Sequence, residues 1–350
     1  MDNILKQRNN KQVAIWLLIG VGMIIVQVLI GGITRLTESG LSITEWKPIT
    51  GALPPMNDAA WQIEFDRYKV TDQFKYVHEN FSLNDFKGIF FWEWFHRLWA
   101  RIMGMVFLIG FVYFLVTKKF YKKMILPMAA LFLLGAVQGA IGWFMVKSGL
   151  VPEKYFVGHV ELATHFIAAL GLLSYTLWFA LGLLQSPSIK VVAPYLQKIM
   201  LGIMVILFFQ LIYGAFMAGL KAAVSAPTWP TINGKMIPEM NELSPWAKNL
   251  VNNNITVHFI HRGLAYLLFV LVAYWWFASR RITGNALFSR LRAGVLLLVG
   301  LQVLLGIFTV LNATYPHRLL ILGVSHQFVG ITLLMCVVAT LFILKKKPAF

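Results

Sequence analysis

Four histidines, His96, His165, His261 and His326, recur in the long apolar stretches of this 350-residue chain, and two of them lead a shared His-Arg pair, His96-Arg97 and His261-Arg262. Inside hydrocarbon, imidazole hydrogen bonds within a bundle, relays protons or ligates a metal. Three residues before His96 stands Glu93, one helical turn away and on the same face. A carboxylate there can accept a proton or stabilise a developing cation, or it can simply pair with Arg97 or Arg101. His258 takes the corresponding place before His261, so the two stretches share a candidate ligand and differ in the acid.

The elements that carry these residues are membrane helices. The chain is 58% hydrophobic and 13% charged, with a mean hydropathy of +0.69, which excludes a soluble domain of this size. Eight apolar runs are long enough to span: 13–32, 91–116, 125–146, 157–183, 195–219, 256–278, 290–311 and 320–344. The first continues into GGITRLTESG, so it reads as a span and not as a cleaved signal. The net charge of +17 is sorted by side and does not indicate nucleic acid. Lys6, Arg8, Lys11, Lys118, Lys119, Lys122, Lys123, Lys190, Lys198, Arg280, Arg281, Arg290, Arg292 and Lys345 to Lys347 all fall on one face of an eight-span topology. Nearly all the acids fall on the other. The positive-inside rule then places both termini in the cytoplasm of a multi-pass cell-membrane protein. The single cysteine, Cys336, lies within the last span and reads as a small apolar packer.

The chain is written twice. FWEWFHRLWA (91–100) matches VHFIHRGLAY (257–266), LGAVQGAIGWFMV (134–146) matches VGLQVLLGIFTV (299–310), and GHVELATHFIAALGLL (158–173) matches LGVSHQFVGITLL (322–334). These alignments set His96 over His261, Gln138 over Gln302, Gly142 over Gly306 and His165 over His326; at the front, Gln27 falls over Gln210 and Trp46 over Trp229. The fold class expected is an all-α membrane protein of two pseudo-repeated four-helix bundles in parallel orientation, 1–185 and 186–350. Each half has a long outer loop, 33–90 and 220–255, and the first contains a candidate interfacial helix, NDAAWQIEFDRYK.

The spans holding the four histidines all run from outside to inside, and each His lies roughly 8–12 Å below the outer surface at about 1.5 Å per residue. Two imidazoles at one depth on two helices of a bundle is what bis-histidine haem ligation needs. One haem per half follows, His96 with His165 and His261 with His326. Zinc or copper would be under-coordinated by two histidines. His78 and His317 fall in outer loops and read as solvated, His159 stands at a helix entrance, and His258 shares a face with His261 and competes as a ligand. Arg97 and Arg262 can contact haem propionates or anchor at the interface, and Glu161 stands one turn before His165. With Glu93 in one half alone, the first site reads as a reaction site and the second as an electron-transfer site. A di-haem b-type cytochrome in quinone electron transfer and a transporter with a histidine proton relay remain alternatives at this level.

The segments GGITRLTESGLSITEWKPITGALPP, EWFHR, QGAIGWFMVKSGL, LATHFIAALGL, TWPTINGKMIP, HFIHR and GIFTVLNA…SHQ together resemble the haem A synthase family, from about residue 27 to 330. The resemblance implies oxidation of the C8 methyl of haem O to a formyl group by two successive hydroxylations, with oxygen from water. It implies that His96 and His165 flank the substrate haem, that His261 and His326 ligate a haem b cofactor, and that Glu93 is the catalytic carboxylate. Some members carry a cysteine pair in an outer loop; this chain resembles the cysteine-free subgroup. A haem O synthase is the implied upstream partner, and the electron acceptor is not specified.

Overall fold

Backbone amides find no water inside hydrocarbon, so each apolar run must close its own hydrogen bonds as a helix. The structure, a computed structural model, describes residues 2–46, 50–184 and 190–345. Its helices are α1 (Asp2–Leu36), α2 (Asp58–Lys69), α3 (Asp72–Val77), α4 (Leu83–Val116), α5 (Lys122–Gly149), α6 (His159–Leu184), α7 (Pro194–Gly219), α8 (Ala222–Ser225), α9 (Asn249–Asn252), α10 (Asn254–Ser279), α11 (Ala286–Leu311) and α12 (Pro316–Ile343). Among the described residues, eight of these are long and apolar enough to cross a membrane, and they coincide with the eight expected runs. The proposed boundary at 185/186, Lys47 within the EWKP motif, and the basic residues Lys346 and Lys347 lie outside the described residues.

Most ends shift by a few residues, and two starts, those of α4 and α1, move by two turns or more, each for a local reason. Helix α4 starts at Leu83, not at 91, because Ser82 and Asp85 form a reciprocal capping box that satisfies two orphan amides ahead of the apolar run. The added turns are buried, with Phe86, Ile89 and Phe90 packed against Phe65 and Tyr68 of α2. Helix α1 runs back to Asp2 because the polar stretch LKQRNNKQ is rich in residues that favour a helix and contains no Pro or Gly. The interfacial helix expected in the first loop is α2, capped by Asn57, which accepts from the Ala60 amide at 2.8 Å.

The first four membrane helices pack in the order α1, α4, α5, α6 and the last four in the order α7, α10, α11, α12. The halves meet where α1 and α6 face α7 and α12. The largest apolar core lies at that seam, with Ile24 and Val28 of α1, Leu173 of α6, Ile203 of α7 and Val337 of α12 among its buried members. Cys336 packs against this core, as its small apolar character suggests. Helix α12 is the most enclosed membrane helix and α4 the least. The halves differ in closure: α10 and α11 pack along each other, whereas α4 and α5 touch at only a few positions. At the short-loop face, Val191 and Val192 pair in parallel with Leu344 and Lys345, tying the linker to the end of α12.

At the long-loop face the halves are pinned by residues that the repeat makes equivalent. The 183-residue offset that aligns Gln27 with Gln210 also aligns Arg35 with Ala218 and Glu38 with Lys221. Arg35 donates to the carbonyls of Ala218 at 2.6 Å and Gly219 at 2.9 Å, satisfying the end of α7. Glu38 and Lys221, both in the left-handed region with φ of 58° and 54°, form an ion pair with each other. His78 joins the pair, with Nε2 3.4 Å from the Glu38 carboxylate and Nδ1 2.6 Å from the Tyr68 hydroxyl. It is 7% exposed. The expectation that His78 is solvated therefore fails, because the α2–α3 hairpin folds over it; His317 is exposed as expected.

The hydrogen bond from His78, and next the bond and charge of Lys221, hold Glu38 down to about 2 against the opposing effect of burial. A depressed acid stabilises the fold above its unfolded value, and that contribution disappears as pH falls through its folded value. Replacing Glu38 with Gln is expected to remove on the order of 1 kcal/mol at pH 7, discounted for partial exposure. Thermal unfolding in detergent should show a gap from wild type that closes between about pH 5 and pH 2. A gap independent of pH would contradict the assignment.

Candidate functional site

Each of the four histidines lies on an even-numbered membrane span, and each faces a glycine on the span before it. A Cβ at Gly31 of α1 would stand 3.2 Å from Nε2 of His96 on α4. At Gly142 of α5 it would stand 2.8 Å from Cε1 of His165 on α6. The same pairing recurs in the second half, with Gly214 of α7 at 3.3 Å from Cε1 of His261 on α10, and Gly306 of α11 at 3.1 Å from Cε1 of His326 on α12. The missing side chain is what admits the ring between two packed helices.

Four residues before each glycine stands a glutamine, and a spacing of four keeps both on one helix face. Gln27 donates to the His96 carbonyl at 3.1 Å, and Gln138 donates to the His165 carbonyl at 2.9 Å with its Nε2 3.1 Å from Nδ1 of the same histidine. Gln302 lies 3.1 Å from Nε2 of His326, and Gln210 lies 3.5 Å from Nε2 of His261. Q-x-x-x-G therefore occurs in all four odd-numbered spans, as QVLIG, QGAIG, QLIYG and QVLLG. Pairwise comparison of the halves aligns members of this set but misses that it occurs four times, once per helix pair; a search for any i, i+4 motif shared by the odd spans would have found it.

The His261 and His326 rings are 6.4 Å apart between centroids with planes at 74°. Two imidazoles on one iron, at about 2 Å per metal–nitrogen bond and about 1 Å more to each centroid, stand about 6 Å apart. Nδ1 of both rings is buried without a partner, as a ligand-ready nitrogen would be. Among the described residues no cluster of three or more His, Cys, Asp or Glu forms a metal site. A metal held by two histidines here must bring its other donors with it, which a haem does. The second half thus fits a bis-histidine haem. His96 and His165 hold the equivalent places in the first half, each with its own glutamine and glycine.

Glu93 is 3% exposed, and both its oxygens are engaged. Oε2 accepts from the Ser42 hydroxyl at 2.8 Å and the Ile43 amide at 2.9 Å, and Oε1 accepts from Arg97 at 2.5 Å. The ion pair with Arg97 foreseen from the i, i+4 spacing is thus present, and the loop segment after α1 supplies the other donors, a contact no local pattern shows. Arg97 also donates to the carbonyls of Ile43 at 3.2 Å and Glu45 at 3.4 Å. Its counterpart Arg262 donates to His258 Nε2 at 3.0 Å and to the carbonyls of Thr228, Pro230 and Thr231. Each arginine therefore ties its loop to its helix. His258 is fully buried with Nε2 occupied by Arg262, which leaves His261 as the residue facing His326. Beside Arg97, a cavity of about 280 Å³ opens between α4 and Ile43, Glu45 and residues 50–55, with Trp94 and Arg101 in its wall.

The fold and site define a polytopic membrane protein in which His261 and His326 face each other between packed helices, with His96 and His165 at the corresponding positions of the first four membrane helices. Residues 14–338 match the family model described as cytochrome oxidase assembly protein. Similar proteins include the haem A synthase of Rhodospirillum centenum, 41% identical over 96% of this chain and 89% of the relative. That of Flavobacterium johnsoniae is 40% identical over 97% of this chain and all of the relative. One from Rhodopseudomonas palustris is 41% identical over 93% of this chain and 88% of the relative. The chain belongs to this family of cytochrome oxidase assembly proteins, among the relatives named haem A synthase.

The glycine cradles make a specific expectation. Gly306→Val places a branched side chain where the His326 ring stands, and should lower the haem bound per protein by at least about half, read from Soret absorbance of purified protein. Gly300→Val, on the same helix where a Cβ meets nothing within 4 Å, should leave it unchanged. Equal loss in both variants would remove the cradle.

Proposed function

We propose that this chain is a haem A synthase, a membrane oxidoreductase that converts the C8 methyl of haem O to a formyl group. The observation that carries the reading is the pair of unequal halves: both present two histidines in glycine cradles, and only the first has a buried carboxylate beside its site. The first half takes haem O between His96 and His165. The second holds haem b between His261 and His326, which supplies one-electron acceptance when bound. The sparse contact between α4 and α5 supports this division, since a substrate with an isoprenoid tail needs a way in from the lipid, whereas a resident cofactor is better kept behind the closed α10–α11 wall.

The chemistry balances with water as the oxygen source. The methyl group loses two electrons and two protons as water adds to give the hydroxymethyl, and a second equal oxidation gives the hydrated aldehyde, which loses water. Four electrons leave in all, to an acceptor outside the chain. Glu93 presents negative charge next to the reacting methylene, where it stabilises the cation that precedes attack by water. With both oxygens engaged by Ser42, Ile43 and Arg97, its role is charge and not proton abstraction. Arg97 and Arg262 hold the loops over the two sites, and in the first half Arg97 and Arg101 line a cavity able to take a propionate.

The long-loop face is placed outside and both termini in the cytoplasm, on the charge asymmetry of the loops. A haem O synthase supplies the substrate. Glu93→Ala, co-expressed with such a synthase, should slow conversion by about 10²-fold or more and leave haem O, or its hydroxymethyl derivative, in the extracted haems. Unchanged haem A content would take Glu93 out of the mechanism.

A further inference from the structure

Four buried carboxamide oxygens point to a role for the glutamines beyond packing. Oε1 of Gln27, Gln138, Gln210 and Gln302 is in each case buried without a donor, and Nδ1 of His261 and His326 is buried without any partner. Unpaired polar atoms are uncommon in folded chains, and eight spans of apolar sequence give no reason to keep glutamine at four equivalent positions. A neutral imidazole that gives one nitrogen to iron carries a proton on the other, and that N–H needs an acceptor when water is absent. The glutamines stand where such an acceptor belongs: 3.1 Å from His165 Nδ1, 3.1 Å from His326 Nε2 and 3.5 Å from His261 Nε2. At Gln210 and Gln302, whose Nε2 meets only the ring nitrogen, a half-turn of the carboxamide exchanges its oxygen and nitrogen, so the same contact can present Oε1; Gln138 and Gln27 donate to the carbonyls of His165 and His96 and stay as they are.

We infer that Gln210 and Gln302, the glutamines of the two second-half Q-x-x-x-G motifs, are positioning residues for the haem-ligating histidines beside them, accepting the N–H of the iron-bound imidazole and so setting its basicity and the potential of the haem. At Gln138, Gln210 and Gln302 the contact reaches the ring. At Gln27 it reaches the His96 carbonyl and holds the helix register. In the second half the motif then has two jobs at one spacing: the glycine makes room for the ring, and the glutamine one turn away chooses which ring nitrogen keeps the proton. This rests on the haem reading of the second half, and it goes beyond it by assigning two residues that do not touch iron.

The test is potentiometric titration of the haem b that co-purifies with the full-length protein, followed by low-temperature EPR of the oxidised form. Gln302→Leu removes the acceptor, weakens the imidazole as a donor, and should raise the midpoint potential and change the low-spin EPR signal. Gln302→Glu offers a stronger acceptor and should lower the potential below wild type. Gln302→Asn, too short to reach, should behave as Leu. A Leu variant that loses haem altogether is decided by the Glu and Asn variants, whose opposite shifts are the expected result. Haem bound at wild-type potential in all three variants would overturn the inference and leave the function proposal standing. Absence of any haem from the wild-type protein would overturn that proposal instead.

Discussion

An imidazole ring between two membrane helices needs a gap on the opposing backbone, and the packing of this molecule follows from supplying that gap four times. Helices that bury apolar faces against one another stand too close for a histidine unless the facing residue is glycine. Gly31, Gly142, Gly214 and Gly306 provide that clearance, and their helices must keep the rotation that aims them at the rings. The glutamine one turn away fixes the same rotation by bonding the histidine's ring or carbonyl. The structural unit is therefore smaller than a four-helix bundle. It is a pair of helices, one with glutamine and glycine and one with histidine, used twice in each half.

Repetition of a unit would give two equal sites, and the chain departs from symmetry at a few positions where departure changes chemistry. Glu93 and His258 occupy equivalent places under equivalent arginines. In one half this gives a carboxylate–guanidinium pair tied to the loop, and in the other an imidazole that accepts a hydrogen bond from the guanidinium. At the seam, Glu38 and Lys221 are equivalent by repeat and opposite in charge, so they attract where identical residues would repel. That contact favours the two halves meeting in this one arrangement. The close packing of α10 with α11 and the sparse contact of α4 with α5 is a third departure.

Much of this was legible beforehand. The spans at 125–146, 157–183, 195–219, 256–278, 290–311 and 320–344 need only hydropathy, since a run of apolar residues in lipid has one way to satisfy its backbone. The four histidines stand out by their place within apolar runs. The start of α4 was missed because Asn84, Asp85 and Lys87 make its first two turns too polar for an apolar run, while Phe86, Ile89 and Phe90 are buried against the loop hairpin. The burial of His78 was missed for the same reason. The fourfold glutamine–glycine motif was present in plain text, but comparing halves finds repeats of the half and passes over repeats of the quarter.

The sequence by itself determined the number of spans and marked the internal repeat, the uneven loop charges and the candidate histidines, because these depend on composition and spacing along one chain direction. Only the tertiary structure decided that Glu93 is held by Ser42 and Ile43, that Glu38 meets Lys221 across the seam, and that each histidine lies against its own glycine. Those contacts join segments tens to hundreds of residues apart. They depend on how each helix is rotated about its axis and how closely neighbours approach, and periodicity along the chain specifies a face without specifying what that face will meet.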